Sequence, residues 1–141
     1  MWGVNVIYDK NKIIELLKSD KCSKIYENYG INSVIIFGSI VTDDFEEYSD
    51  VDIAVLSSHK IGLSAIMDIE DSISNLINRD VDVVFLNGED IDLRFKVTVY
   101  DSGILIYNDK NDVFTKDYNK TDIIYKNNEE FRYFRERDVI E

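Results

Sequence analysis

Residues 32–57 read NSVIIFGSIVTDDFEEYSDVDIAVLS, and the order of features in this stretch decides how the rest of the chain is read. An apolar run, Val34-Ile35-Ile36-Phe37, stops at Gly38-Ser39. Ten residues later Asp50 and Asp52 head a second apolar run, Ile53 to Leu56. The pattern is strand, tight turn, loop, strand. A glycine and a hydroxyl at the carboxyl end of a buried strand let backbone N–H groups approach an anion, most simply a phosphate. Acids at i and i+2 of a strand share a face, so Asp50 and Asp52 can share metal ions while Val51 points the other way. The combination points to metal-dependent phosphate chemistry.

Length and composition bound this reading. The 141 residues suffice for one domain with a real core and are too few for two ordinary ones. Apolar residues make up 45% of the chain, including nine tyrosines and seven phenylalanines, which excludes disorder throughout. Lys and Arg number 16 against 28 Asp and Glu, a net charge of −12, which argues against general binding to nucleic acid or to anionic lipid. It also means that a bound nucleoside triphosphate needs divalent cations beside it. Cys22 is the one cysteine, so an internal disulfide and a cysteine-based zinc site are excluded. No apolar stretch approaches the roughly 20 residues of a membrane span, and Met1-Trp2-Gly3-Val4 does not open a signal segment. The default expectation is a soluble cytoplasmic protein.

Outward from the central stretch, Ile13, Ile14, Leu16 and Leu17 predict an amphipathic helix with Asp9 as N-cap, broken near Ser19-Asp20 and resumed through Ile25 and Tyr29 to an end at Gly30. The first strand is expected over Ser33 to Phe37, a short helical or irregular piece follows through Asp44, and the second strand is expected over Asp50 to Leu56. Ile66, Ile69, Ile73, Leu76 and Ile77 have helical spacing, and a third strand is expected at Val81 to Leu86. Strand, helix, strand makes the second and third strands parallel neighbours. Ile91, Leu93, Phe95, Val97 and Val99 alternate and locally read as a strand, although Leu93, Val97 and Tyr100 also satisfy a helix ending at Gly103. Ile104 to Tyr107 is a short further strand. The tail from Lys110 is expected to hold one long helix or two shorter ones. In it Phe114, Tyr118, Ile124, Phe131 and Phe134 could face the body or a partner.

A third acid completes the constellation. Arg79-Asp80-Val81-Asp82-Val83-Val84 carries two acids of the same face parity. Asp82 is preferred because an apolar residue precedes it and the buried run follows it. Two divalent ions held roughly 3.5–4 Å apart by carboxylates can stabilise both the attacking and the leaving oxygen of a phosphoryl or nucleotidyl transfer. Magnesium suits such hard oxygen donors completed by substrate phosphates.

GSIVTDDFEEYSDVDIAV, beginning at Gly38, resembles the G-S-x10-D-x-D signature of DNA polymerase β-type nucleotidyltransferases, and the strand of Asp82 resembles the site of their third acid. Over about Ile7 to Asp109, the short length, the first helix and LRFKVTVYDSGILIYND (from Leu93) resemble the minimal nucleotidyltransferases, specifically MntA-like antitoxins paired with HEPN-domain toxins of the HepT type. The resemblance implies an α/β (α+β) nucleotidyltransferase fold with a mixed sheet of about four strands flanked by helices. Residues 1–109 would form the nucleotidyltransferase domain and 110–141 a helical tail packing on it or on a partner. It implies that Ile91 to Asp101 is helical, against the local alternation. It further implies two magnesium ions, ATP as donor, and transfer of AMP to a tyrosine hydroxyl of the cognate HEPN toxin. Carried over by position, Gly38 and Ser39 would hold the triphosphate, Asp50 and Asp52 would bind both metals, and Asp82 would bind the catalytic one. Many relatives read G-S-R-A-R-G where this chain has Gly38, Ser39, Ile40, Val41, Thr42 and Asp43, so two cations and a glycine are missing.

Other readings of the same residues fare worse. An EF-hand loop needs glycine at its sixth place, which is Val55 counting from Asp50 and Phe85 counting from Asp80. A sugar transferase with an Asp-x-Asp site normally needs a larger chain. His59 reads as a loop surface residue, the acidic run Asp43 to Glu47 as a solvated face, and Phe131, Tyr133 and Phe134 as packing or interface residues rather than base-stacking ones. The alternative function is a weak or inactive nucleotidyltransferase-fold antitoxin that neutralises its toxin by binding, its acidic surface complementing a basic partner. A small-molecule acceptor ranks lower, since these residues are not expected to form a second substrate-binding domain.

Overall fold

The computed structural model of the chain describes residues 6–140, with side chains through 128. Two short helices come first, α1 (Lys10–Leu17) and α2 (Asp20–Asn28). As the sequence predicts, Asp9 is the N-cap of α1, its carboxylate accepting from Lys12 N at 2.8 Å. Gly30 takes a left-handed φ of +70° just past α2, and the N–H of Ile31 returns to Tyr26 O at 2.8 Å, which closes the helix end.

Four strands follow: β1 (Ser33–Phe37), β2 (Val51–Leu56), β3 (Val81–Phe85) and β4 (Ile104–Asn108). Their order in the sheet is β3-β2-β1-β4. β1 runs antiparallel to both β2 and β4, whereas β2 and β3 are parallel, as the intervening helix α3 (Leu63–Ile77) requires. The sheet is therefore mixed. Helix α4 (Leu93–Ser102) precedes β4, and α5 (Val113–Ile140) closes the chain as one long helix. The local alternation from Ile91 is thus overruled. The Asp92 side chain caps the first turn by accepting from Phe95 N, and Val99 is buried against the sheet. Alternating apolar residues in a window of ten satisfy one side of a helix as well as one side of a strand, and here only the helix has a surface to cover.

Strand alternation sorts two cores. Val34, Ile36, Val51, Ile53 and Val55 meet Ile13 and Leu17 of α1, Cys22 and Tyr26 of α2, and Ile69, Ile73 and Ile77 of α3. On the opposite face Ile35, Ala54, Leu56 and Leu86 meet Val99 of α4 and Val113 of α5. Cutting Ile36 or Ile53 to Ala in so closed a layer would cost about 2–5 kcal/mol. The two helices of the second face are joined by a nearly buried polar knot: Lys96 Nζ lies 3.0 Å from an Asp117 oxygen, and Tyr100 donates its hydroxyl to the same carboxylate. The Tyr100 ring also meets Phe114 and Tyr118 edge-on. Ile124 stays largely exposed, and Phe131, Tyr133 and Phe134 lie outside the described side chains. His59 is exposed between β2 and α3. Among the described residues no helix is long and apolar enough to cross a membrane.

Candidate active site

The site grows from the start of β2. Asp52 lies opposite Phe37 of β1 and beside Asp82 of β3 in the register. Laterally paired residues of adjacent strands point to the same face, so the Asp52 and Asp82 carboxylates emerge together, on the side where Ala54 and Leu56 enter the second core. Asp50 sits one residue ahead of β2 and is exposed, as is Asp82, while Asp52 is partly buried. Burial pushes the Asp52 carboxyl above its ordinary range, and the charges of Asp82 and then Asp50 push it further. The backbone carbonyl of Asp80 accepts from Val51 N at 2.9 Å, extending the β2–β3 pairing.

Gly38 fits beneath Asp52. Its φ is +75°, and a Cβ built on it would come within 2.2 Å of Asp52 Oδ2. The chain turns at this point into a 3-10 helix, Gly38–Val41, whose Ser39 carbonyl accepts from both the N–H and the hydroxyl of Thr42 at 2.9 Å. Ile40, at the first arginine position of the G-S-R-A-R-G pattern, is 1% exposed in the first core. Thr42 and Asp43 face solvent. A cation nevertheless reaches this turn from elsewhere: Lys10 of α1 donates from Nζ to Thr42 O at 2.5 Å. Sequence reading missed it because the partners are 32 residues apart.

The acid face is bounded on its β1 side by Phe37, against which Phe95 of α4 stands edge-to-face at 5.7 Å. Behind the loop that delivers Asp50 lies Arg79, 7% exposed. It donates to Ser49 O at 2.9 Å, to Glu46 O, and to Tyr8 O at 3.3 Å, with its guanidinium carbon 4.5 Å above the Phe45 ring. Burial lowers its affinity for the proton, and the charges of Glu47 and Asp50 partly restore it. The sequence signal was present, a lone arginine in front of the acid strand in an acidic chain, but nothing local tells a bracing arginine from a surface one.

Among the described residues no group of three or more His, Cys, Asp or Glu side chains is arranged to hold a metal ion. The donors themselves suit a hard divalent cation: they are carboxylate oxygens only, and the crowding of negative charge on Asp52 is of the kind such a cation relieves.

A mixed sheet between two helical layers, with paired strand acids above a glycine turn, defines the nucleotidyltransferase class. The chain belongs to the family described as Polymerase beta, Nucleotidyltransferase, whose model matches residues 11–112. It is 32% identical over 77 residues to a candidate protein adenylyltransferase of Methanocaldococcus jannaschii, spanning 55% of this chain and 88% of that protein. A second candidate protein adenylyltransferase of the same organism is 31% identical over 77 residues, spanning 55% of this chain and 78% of that protein. Among solved structures, a tri-AMPylated Shewanella oneidensis HEPN toxin in complex with MNT antitoxin matches at a TM-score of 0.57 and 25% identity, covering 94% of this chain and 96% of the matched one. A toxin–antitoxin crystal structure with AMP-PNP shares the fold at a TM-score of 0.64 and 23% identity, covering 95% of this chain and all of that one.

Proposed function

We propose that the chain is a magnesium-dependent antitoxin enzyme that transfers AMP from ATP to a tyrosine hydroxyl of a cognate HEPN-domain toxin of the HepT type, and thereby silences it in the cytoplasm. The observation that carries the reading is the pairing of Asp52 with Asp82 on one face, with the Asp52 carboxylate packed against Gly38. The likeness to candidate protein adenylyltransferases supports protein as the acceptor, and the likeness to the AMPylated toxin complex supports a HEPN partner.

In this reading Gly38 and Ser39 would hold the triphosphate, Asp50 and Asp52 would ligate both metals, and Asp82 would ligate the catalytic one. Bound magnesium would supply charge neutralisation of the phosphates and a lowered pKa for the acceptor hydroxyl. The new bond joins the tyrosine oxygen to the α-phosphorus, and the bond from that phosphorus to the bridging oxygen breaks, releasing pyrophosphate. Asp82, which is exposed, would help take the hydroxyl proton. Gly38, having no side chain, leaves the Asp52 carboxylate seated over the turn where the donor's phosphates would lie.

Purified protein with labelled ATP and magnesium is expected to label the HEPN partner, and the Asp50→Ala, Asp52→Ala double variant to leave it unlabelled. Undiminished labelling by the double variant would sink the proposal. A second reading, neutralisation by binding alone, is favoured by the buried Ile40 and the exposed Asp43, which leave the turn without its own cation. Calorimetry separates the two: magnesium-dependent ATP binding at micromolar affinity or better supports the enzyme, and a tight toxin complex without nucleotide binding supports the second reading.

A further inference from the structure

Arg79 is the one charged side chain among the buried described residues. It follows the left-handed cap of α3 at Asn78, where φ is 54°, and its own carbonyl accepts from Ser74 Oγ at 2.7 Å, so its backbone is fixed to the helix. Its guanidinium spans to the loop ahead of the other acid-bearing strand. It donates to the carbonyls of Glu46 and Ser49, the two ends of the loop that leads into Asp50, and to Tyr8 ahead of α1. The ring of Phe45 closes it from one side. All of these named acceptors are backbone carbonyls, and none is a carboxylate.

A residue needed only to fill this space would be apolar, because an enclosed charge is costly to desolvate and carbonyl dipoles repay that only with good geometry. A planar fork that reaches three carbonyls in two segments does what no aliphatic side chain or single ammonium can: it sets the distance between them. Because Arg79 lies three residues ahead of Asp82, and Ser49 one residue ahead of Asp50, the span it fixes is the span between acids of the site.

We propose that Arg79 is a positioning residue that holds the 45–49 loop against the start of β3, so that Asp50 is presented to Asp52 and Asp82 for joint cation and nucleotide binding. The inference rests on the nucleotidyltransferase reading above, and it assigns Arg79 no contact with the substrate. Its positive charge, which among the described residues makes no direct ion pair with a carboxylate but feels the charges of Glu47 and Asp50, also sits behind the loop as a fixed counterweight to the crowded acids.

The test uses the full chain, Mn2+ as the probe cation and AMP-PNP as the probe nucleotide. Arg79→Lys keeps the charge and loses the fork, and Phe45→Leu keeps the arginine and removes the ring beneath it. With unchanged circular dichroism, Arg79→Lys is expected to weaken Mn2+ binding in the presence of AMP-PNP about tenfold, read by electron paramagnetic resonance. In the metal-free protein the amides of residues 46–50 are expected to exchange hydrogen at least tenfold faster. Phe45→Leu is expected to shift both readouts the same way by a smaller factor, which keeps the test alive if Arg79→Lys does not fold. Wild-type binding and wild-type exchange in either folded variant overturn the inference while leaving the enzyme reading intact. A wild-type protein that binds no Mn2+ with AMP-PNP overturns both.

Discussion

Gly38 and Asp52 occupy space that only a glycine permits: a Cβ at residue 38 would stand 2.2 Å from Asp52 Oδ2 and 3.1 Å from its carboxyl carbon. The φ of +75° adds a second demand for glycine, since side-chain-bearing residues pay about 1–2 kcal/mol in that region. Gly38→Ala is therefore expected to lose roughly that much stability in urea and, by turning the Asp52 carboxylate aside, to cut AMP transfer at least a hundredfold. A variant that is destabilised but transfers normally would show that the close approach serves the turn alone.

The crowding around Asp52 has a sign that can be measured. Its carboxyl is raised by burial, by Asp82 and by Asp50, so the folded chain holds this proton more tightly than the unfolded chain. Stability of the metal-free protein then falls as pH rises from the ordinary carboxylate range through the raised value. A 13C NMR titration should place Asp52 above its ordinary range, and Asp82→Asn should bring it down. Magnesium is expected to offset the loss of stability on the high-pH side. An Asp52 that titrates normally and ignores Asp82→Asn would mean that the two carboxylates do not share a site.

The turn after Ser39 has an acid at its exposed position 43 and borrows a cation from α1, Lys10, which binds Thr42 O. Lys10→Met is expected to weaken ATP binding about threefold to tenfold, and Asp43→Lys to strengthen it by a similar factor, with little change in stability. Isothermal titration with magnesium–ATP reads both. Equal affinities across the set would place the triphosphate away from this turn.

The knot between α4 and α5 calls for a different outcome. Lys96 and Asp117 are only 15% and 11% exposed, so removing one partner strands a charge that water reaches poorly. Asp117→Ala, which also deprives the Tyr100 hydroxyl of its acceptor, is expected to cost about 2–4 kcal/mol in urea. AMP transfer well below the melting temperature should be nearly unchanged. A large loss of transfer with intact stability would tie α5 to catalysis rather than to anchoring.

How much was legible in the sequence follows from the range of the forces involved. Periodicity and caps are local, so Asp9 as the cap of α1, the break at Ser19-Asp20, the turn at Gly30 and the β1, β2, α3, β3 succession could be read along the chain. The spacing from Gly38-Ser39 to Asp50 and Asp52 was equally visible, and strand parity already sent Val51 away from the acids. The segment from Ile91 was not decidable locally, because its apolar residues fit either period and packing on the sheet selected the helix. Only the tertiary structure put β1 between β2 and β4, fixed the register that pairs Asp52 with Asp82, seated the carboxylate on Gly38, and brought Lys10 and Arg79 to loops 30 or more residues away. Such relations depend on strand order and register, which many pairings of the same apolar residues would satisfy and which the closing of two cores over both faces of the sheet resolves.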